Sequence, residues 1–116
     1  MRERQKGRTR EQAAASANTF RGIQILGERA RFNVVAGNYI GTDITGQYAL
    51  ENHQFGVIME VQASDNVIGG TTPAERNLIS GNVNKGIGIS DPGSTHNTVI
   101  GNWIGVDASG TAALGN

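Results

Sequence analysis

Asn33-Val-Val-Ala-Gly-Asn38-Tyr-Ile-Gly-Thr-Asp43 returns 64 residues later as Asn97-Thr-Val-Ile-Gly-Asn102-Trp-Ile-Gly-Val-Asp107. Across residues 33–52 and 97–116, 11 of 20 positions are identical, ending in the shared Ala-Leu pairs (Ala49-Leu50, Ala113-Leu114) and in Asn52 and Asn116. Self-similarity at a fixed period is the mark of a stacked architecture, in which each unit leans on its neighbours.

A finer repeat lies inside the 64-residue unit. Three segments open with Gly and alternate apolar residues: Gly22-Ile-Gln-Ile25, Gly56-Val-Ile-Met59 and Gly86-Ile-Gly-Ile89. Each is followed by an Asn-initiated pair of short runs, Asn33-Val-Val35 with Asn38-Tyr-Ile40, Asn66-Val-Ile68 with Asn77-Leu-Ile79, and Asn97-Thr-Val99 with Asn102-Trp-Ile104. Period-two alternation in runs this short predicts strands. The chain therefore reads as all-β, a short right-handed parallel β-helix (solenoid) of about three coils, with Gly69–Arg76 inserted in the second coil. Predicted inward columns are Ile23/Val57/Ile87, Ile25/Met59/Ile89, Val35/Ile68/Val99 and Ile40/Ile79/Ile104, with β-branched residues suited to like-on-like stacking. Asn33, Asn66 and Asn97 form a predicted column whose amides hydrogen-bond along the stack, each Asn also accommodating the left-handed corner. The same offset matches Glu11, Ser16 and Asn18 to Glu75, Ser80 and Asn82, and places Asn18, Asp43, Asn82 and Asp107 in one further column.

Composition agrees with short strands and tight turns: 17 glycines, 2 prolines and 37% apolar residues in 116. The absence of Cys excludes disulfides and thiolate metal sites. No apolar run approaches a membrane span, and the first 20 residues lack the apolar stretch of a secretory signal. The formal net charge is zero, but residues 1–31 carry an excess of Arg and Lys while the remainder is acidic. A solvated basic end is the expectation, with no nucleic-acid partner. The chain divides into a basic N-terminal segment, 1–15, disordered or capping, and a repeat domain, 16–116. Within 1–15, composition favours a helix that Gly7 interrupts, whereas the 64-residue offset points to a degraded strand.

The segments Ile68–Thr71, Arg76–Asn82, Gly86–Ile89, Asn97–Gly110 and Ala113–Asn116 together resemble the right-handed parallel β-helix repeat family, similar in architecture to the pectate-lyase-like superfamily. The resemblance covers about residues 16–116. It implies a β-helix from a larger secreted or cell-surface protein, with polysaccharide binding or cleavage in some relatives and no known reaction in many.

Candidate functional residues are few. Asp43 and Asp107 stand in equivalent Asp-x-x-Gly turns, and Asp/Asn-rich edges of this kind are calcium candidates, although neither an EF-hand nor an acidic nonapeptide is present. Tyr39 and Trp103, with Leu78 between them, form an outward column suited to sugar stacking, to loop packing or to self-association. His53 and His96 occupy unrelated loop positions. After residue 31 the only cations are Arg76 and Lys85, too few for a basic and acidic cluster on one face. The expectation is a non-catalytic structural or interaction module that forms a homo-oligomer through its open coil ends or the Tyr39/Leu78/Trp103 stripe. The alternative is a carbohydrate-binding or polysaccharide-cleaving fragment.

Overall fold

The alternating runs become nine short strands in a computed structural model that describes residues 15–116. They are β1 (Arg21–Leu26), β2 (Val34–Val35), β3 (Tyr39–Ile40), β4 (Phe55–Glu60), β5 (Val67–Gly69), β6 (Leu78–Ile79), β7 (Lys85–Ile89), β8 (Thr98–Ile100) and β9 (Trp103–Ile104). They pair in three parallel three-stranded sheets, β1-β4-β7, β2-β5-β8 and β3-β6-β9. Each sheet thus takes one strand from each of three successive tiers, 21–40, 55–79 and 85–104. The basic segment expected over 1–15 lies, except for Ala15, outside the described residues.

The register is the one the alternation dictates. Ile23 faces Val57 and Val57 faces Ile87; Ile25, Met59 and Ile89 form the next column. Val35, Ile68 and Val99 align in the second sheet, and Ile40, Ile79 and Ile104 in the third. The first- and second-tier members of these columns are fully buried and form one core cluster with Ala30 and Ala63. A strand two residues long has almost no hydrogen-bonded ladder of its own, so its placement depends on these side chains.

Seven of the ten corners that lead into a ladder asparagine share a backbone. Phe32, Asp65 and His96, each just before an Asn, adopt positive φ of 60°, 57° and 58°. Ala17, Gly37, Gly81 and Gly101 do the same before Asn18, Asn38, Asn82 and Asn102. The left-handed residue is therefore the one preceding Asn, not Asn itself as expected from the sequence.

The 64-residue period arises from the return loops. In the first tier, residues 42–49 fold back on themselves through an antiparallel bridge between Thr42 and Ala49; Val106 and Ala113 do the same in the third. The second tier returns directly through 80–84. The two long loops consequently touch each other across it, Ala108 N–H donating to Gly46 O at 2.8 Å. A folded-back loop is thicker than the spacing of about 4.8 Å between neighbouring strands, so long loops fit at every second tier. The offset also reaches the start of the described chain: Ser16 accepts from Gly41 N–H and donates to Thr42 O, as Ser80 does with Gly105 and Val106. Ala15 bridges Ile40 where Ile79 pairs Ile104.

Candidate functional site

Ten of the eleven asparagines, all but Asn84, build three ladders along the stack. Asn33 donates from both its backbone N–H and Nδ2 to Asn66 Oδ1, at 2.9 and 3.0 Å, and Asn66 donates likewise to Asn97. Asn38, Asn77 and Asn102 form the second ladder. Asn18, Asn52, Asn82 and Asn116 form the third. Each interior amide also donates backwards, Asn66 Nδ2 to Ala30 O at 2.9 Å and Asn77 Nδ2 to Val35 O at 2.8 Å. An interior Asn thereby uses both amide hydrogens and two acceptor positions. Asn38, Asn52, Asn66 and Asn77 are fully buried, and burial of an amide is tolerated only because its partners are supplied. Asp cannot substitute, because a carboxylate has no hydrogens to donate.

The third ladder corrects the sequence register. Asn18 and Asn82 do not share a column with Asp43 and Asp107; the intervening positions belong to Asn52 and Asn116. The physical reason is the return loop, which carries Asp43 away from the stack before the chain re-enters at Asn52. The ladder also explains the Gly that opens each first strand. A Cβ at Gly56 would lie 2.7 Å from Gly86 O and 2.8 Å from Asn82 Nδ2, and one at Gly22 would lie 2.7 Å from Asn52 Nδ2.

Each ladder has a direction: donors point toward the third tier and acceptors toward the first. At the first-tier end, Asn38 Oδ1 is buried without a partner among the described residues. At the third-tier end, the backbone N–H groups of Asn97, Asn102 and Asn116 have no acceptor among the described residues.

Asp43 and Asp107 are turn residues in this arrangement. Asp43 Oδ1 accepts from Thr45 N–H, Thr45 Oγ1 and Gly46 N–H at 3.1, 2.6 and 3.1 Å. Asp107 Oδ1 accepts from Ser109 N–H and Ser109 Oγ. The hydroxyl bonds from Thr45 and Ser109, chiefly, hold both carboxyls below the usual carboxylate range. Among the described residues no three His, Asp or Glu side chains gather at metal-binding distance.

The Tyr39/Leu78/Trp103 column points away from the core but is covered. Leu78 is only 3% exposed, and Tyr39 and Trp103 are half-buried. The long loops lie over them: a Cβ at Gly46 would meet Tyr39 and Leu78, and one at Gly110 would meet the Trp103 ring at 2.7 Å. Arg76 lays its guanidinium 4.2 Å from the centre of the Trp103 ring, a cation–π contact. Tyr39, Arg76, Leu78, Trp103 and Ala108 line a cleft of about 180 Å³.

Two further arrangements were not legible beforehand. The Gly69–Arg76 insertion folds round Glu75, whose Oε1 accepts from Thr71 N–H, Thr72 N–H and Thr72 Oγ1 at 3.0, 3.1 and 3.0 Å. The Gly-rich stretch therefore cradles the chain's own carboxylate. The charge asymmetry is in part an exchange between tiers, Arg21 pairing with Glu60 and Arg31 with Asp65, each at 3.9 Å.

Comparison with family models, with curated proteins and with solved structures gives no match to this chain.

Proposed function

We propose that this chain is a non-catalytic structural and interaction module, built as a short right-handed parallel β-helix of the repeat family its sequence resembles. The observation that carries the reading is the commitment of its polar chemistry to the stack: ten asparagines serve as ladder rungs, and Asp43 and Asp107 are consumed by their own turns. A parallel crossover in one sheet is right-handed in nearly all proteins, which supports the handedness. Interaction is the role such a stack is suited to, because repeat arrays present an open layer unless a cap covers it. Of the two routes to self-association, the open coil end is favoured over the Tyr39/Leu78/Trp103 stripe, which the long loops cover.

The test is turnover of an acidic glycan such as polygalacturonate. The reading predicts no product above that of the D43N/D107N variant, and activity lost in that variant would overturn it. A second reading, carbohydrate binding without cleavage, has the Arg76/Trp103 cleft in its favour, where an aromatic and a cation stand together. Retardation in glycan affinity electrophoresis that Trp103→Ala abolishes would establish it.

A further inference from the structure

Arg76 breaks the repeat. It precedes the ladder residue Asn77, where the other two tiers have Gly37 and Gly101 before Asn38 and Asn102. Those glycines turn with φ of 74° and 71°, whereas Arg76, at the end of the Gly69–Arg76 insertion, has φ of −65°. Two tiers make this corner with no side chain at all, so the stack itself does not call for a cation here. The acid beside it, Glu75, is held in its own backbone cradle. Among the described residues no carboxylate lies within ion-pairing distance of Arg76, the cross-tier pairs being Arg21 with Glu60 and Arg31 with Asp65. Its Nε–H is buried and has no acceptor among them. The Trp103 ring, 4.2 Å away, holds the guanidinium and offsets part of the cost of burying a charge, but a ring face gives no acceptor in the guanidinium plane.

We propose that the cleft beside Arg76 binds a small organic monocarboxylate, whose carboxylate meets the guanidinium and whose apolar body rests against Tyr39, Leu78 and Ala108. The cleft spans all three tiers on the outward side of β3, β6 and β9: Tyr39 comes from the first, Arg76 and Leu78 from the second, Trp103 and Ala108 from the third. One guanidinium, with no second cation among the described lining residues, matches one negative charge. A phosphate dianion would leave charge uncompensated. The planar fork of Arg fits the two oxygens of a carboxylate side by side. At about 180 Å³ the cleft is smaller than the roughly 300–1,000 Å³ of pockets for drug-sized ligands, which limits its occupant to about one ring. A neutral sugar finds little here, because Leu78 and Ala108 carry no polar side-chain atoms and Arg76 already lies on the Trp103 ring. The walls are set in advance: Ala108 N–H is bonded to Gly46 O, and a Cβ at Gly110 would lie 2.7 Å from the indole. Such preorganisation lowers the cost of binding. The inference goes beyond the structural reading of the stack and selects the ligand of this cleft by charge, not by sugar stacking.

Trp103 is the chain's single tryptophan, so its indole N–H resonance reports on the cleft. The test follows that resonance while the full chain is titrated, at constant ionic strength, with benzoate, benzamide, galactose and inorganic phosphate. The inference predicts a saturable shift with benzoate, and binding of benzamide at least about tenfold weaker, the worth of one charge-assisted hydrogen bond. Arg76→Gln should abolish the benzoate shift. Arg76→Lys, which keeps the charge but loses the fork, should weaken binding. The wild-type comparison of benzoate with benzamide decides the matter even if neither variant folds. No saturable shift with benzoate would overturn the inference, as would equal binding of benzamide or a shift retained in Arg76→Gln. Phosphate bound as tightly as benzoate would show an unselective anion site and overturn the choice of ligand. Galactose bound in preference to benzoate would overturn it in favour of sugar stacking. These measurements read binding at one cleft and not glycan turnover, so failure here leaves the non-catalytic reading of the stack to its own test.

Discussion

Ile40 and Ile104 occupy the same position of the repeat, 64 residues apart, in equivalent strands and beside equivalent asparagines. Ile40 is fully buried and Ile104 is 48% exposed. The same contrast separates Val35 from Val99 and Ile25 from Ile89. Near-identical local sequence therefore produces opposite environments, so burial in a stack is set by what lies over the strand and not by the strand itself. The polar groups follow the same rule: Asn66 is satisfied on both sides, whereas Asn97 is satisfied on one.

The largest expected effect tests this contrast directly. Ile40→Ala should lower the unfolding free energy by about 3 kcal/mol, the range for a buried aliphatic truncation, whereas Ile104→Ala should cost less than about 1 kcal/mol. Urea denaturation of the two variants measures both, and equal losses would erase the distinction between the ends. The ladder gives the next effect. Asn66→Ala strands the donors of Asn33, the acceptor of Asn97 and Ala30 O, at about 2–3 kcal/mol, while Asn97→Ala strands the donors of Asn66 and Ala63 O and breaks no forward rung, so it should cost less. Asn66→Asp should be at least as damaging as the Ala variant, since it keeps the volume but loses the donors.

A third effect should not differ between the ends. Phe32 and His96 both hold positive φ at the same corner, and strain of that kind is local. Phe32→Gly and His96→Gly should each stabilise the chain by about 0.5–1 kcal/mol, the left-handed penalty less the extra entropy of Gly. A gain at one corner alone would show that the tiers impose different backbones. The smallest effect concerns Asp43 and Asp107. Their carboxyls titrate below the unfolded value, so the stability they contribute is present above about pH 4. It is lost as pH falls through the folded pKa. In D43N/D107N that part of the acid dependence should vanish in melts between pH 2 and 6, with only a slight shift at neutral pH because both groups are no more than partly buried.

The strand positions and four inward columns were legible because alternation and the 64-residue offset constrain them together: a shift of one residue would have turned Ile23 and Ile25 outward. One ladder, Asn33/Asn66/Asn97, was legible for the same reason. The ladder through Asn52 and Asn116 was not recognised, although both residues stand among the repeat identities. The long loop changes the count between Asp43 and Asn52, and sequence distance does not reveal where a chain re-enters its stack. The outward column of Tyr39, Leu78 and Trp103 was visible as a column. Its cover was less so, since it depends on the 42–49 and 106–113 loops bridging the short second-tier return. Glu75 filling its own backbone cradle left a signal in Thr72-Pro-Ala-Glu75, whose spacing is that of a capping box.

The central claim is that directional asparagine ladders join the tiers and end unfinished at the third. Native-state hydrogen exchange of the chain, at low concentration and neutral pH, tests it most directly by comparing the backbone amides of Asn66, Asn77 and Asn82 with those of Asn97, Asn102 and Asn116. The account predicts that the first three exchange only with global unfolding and that the last three exchange far faster, through local opening. Equal protection of the two sets would contradict it.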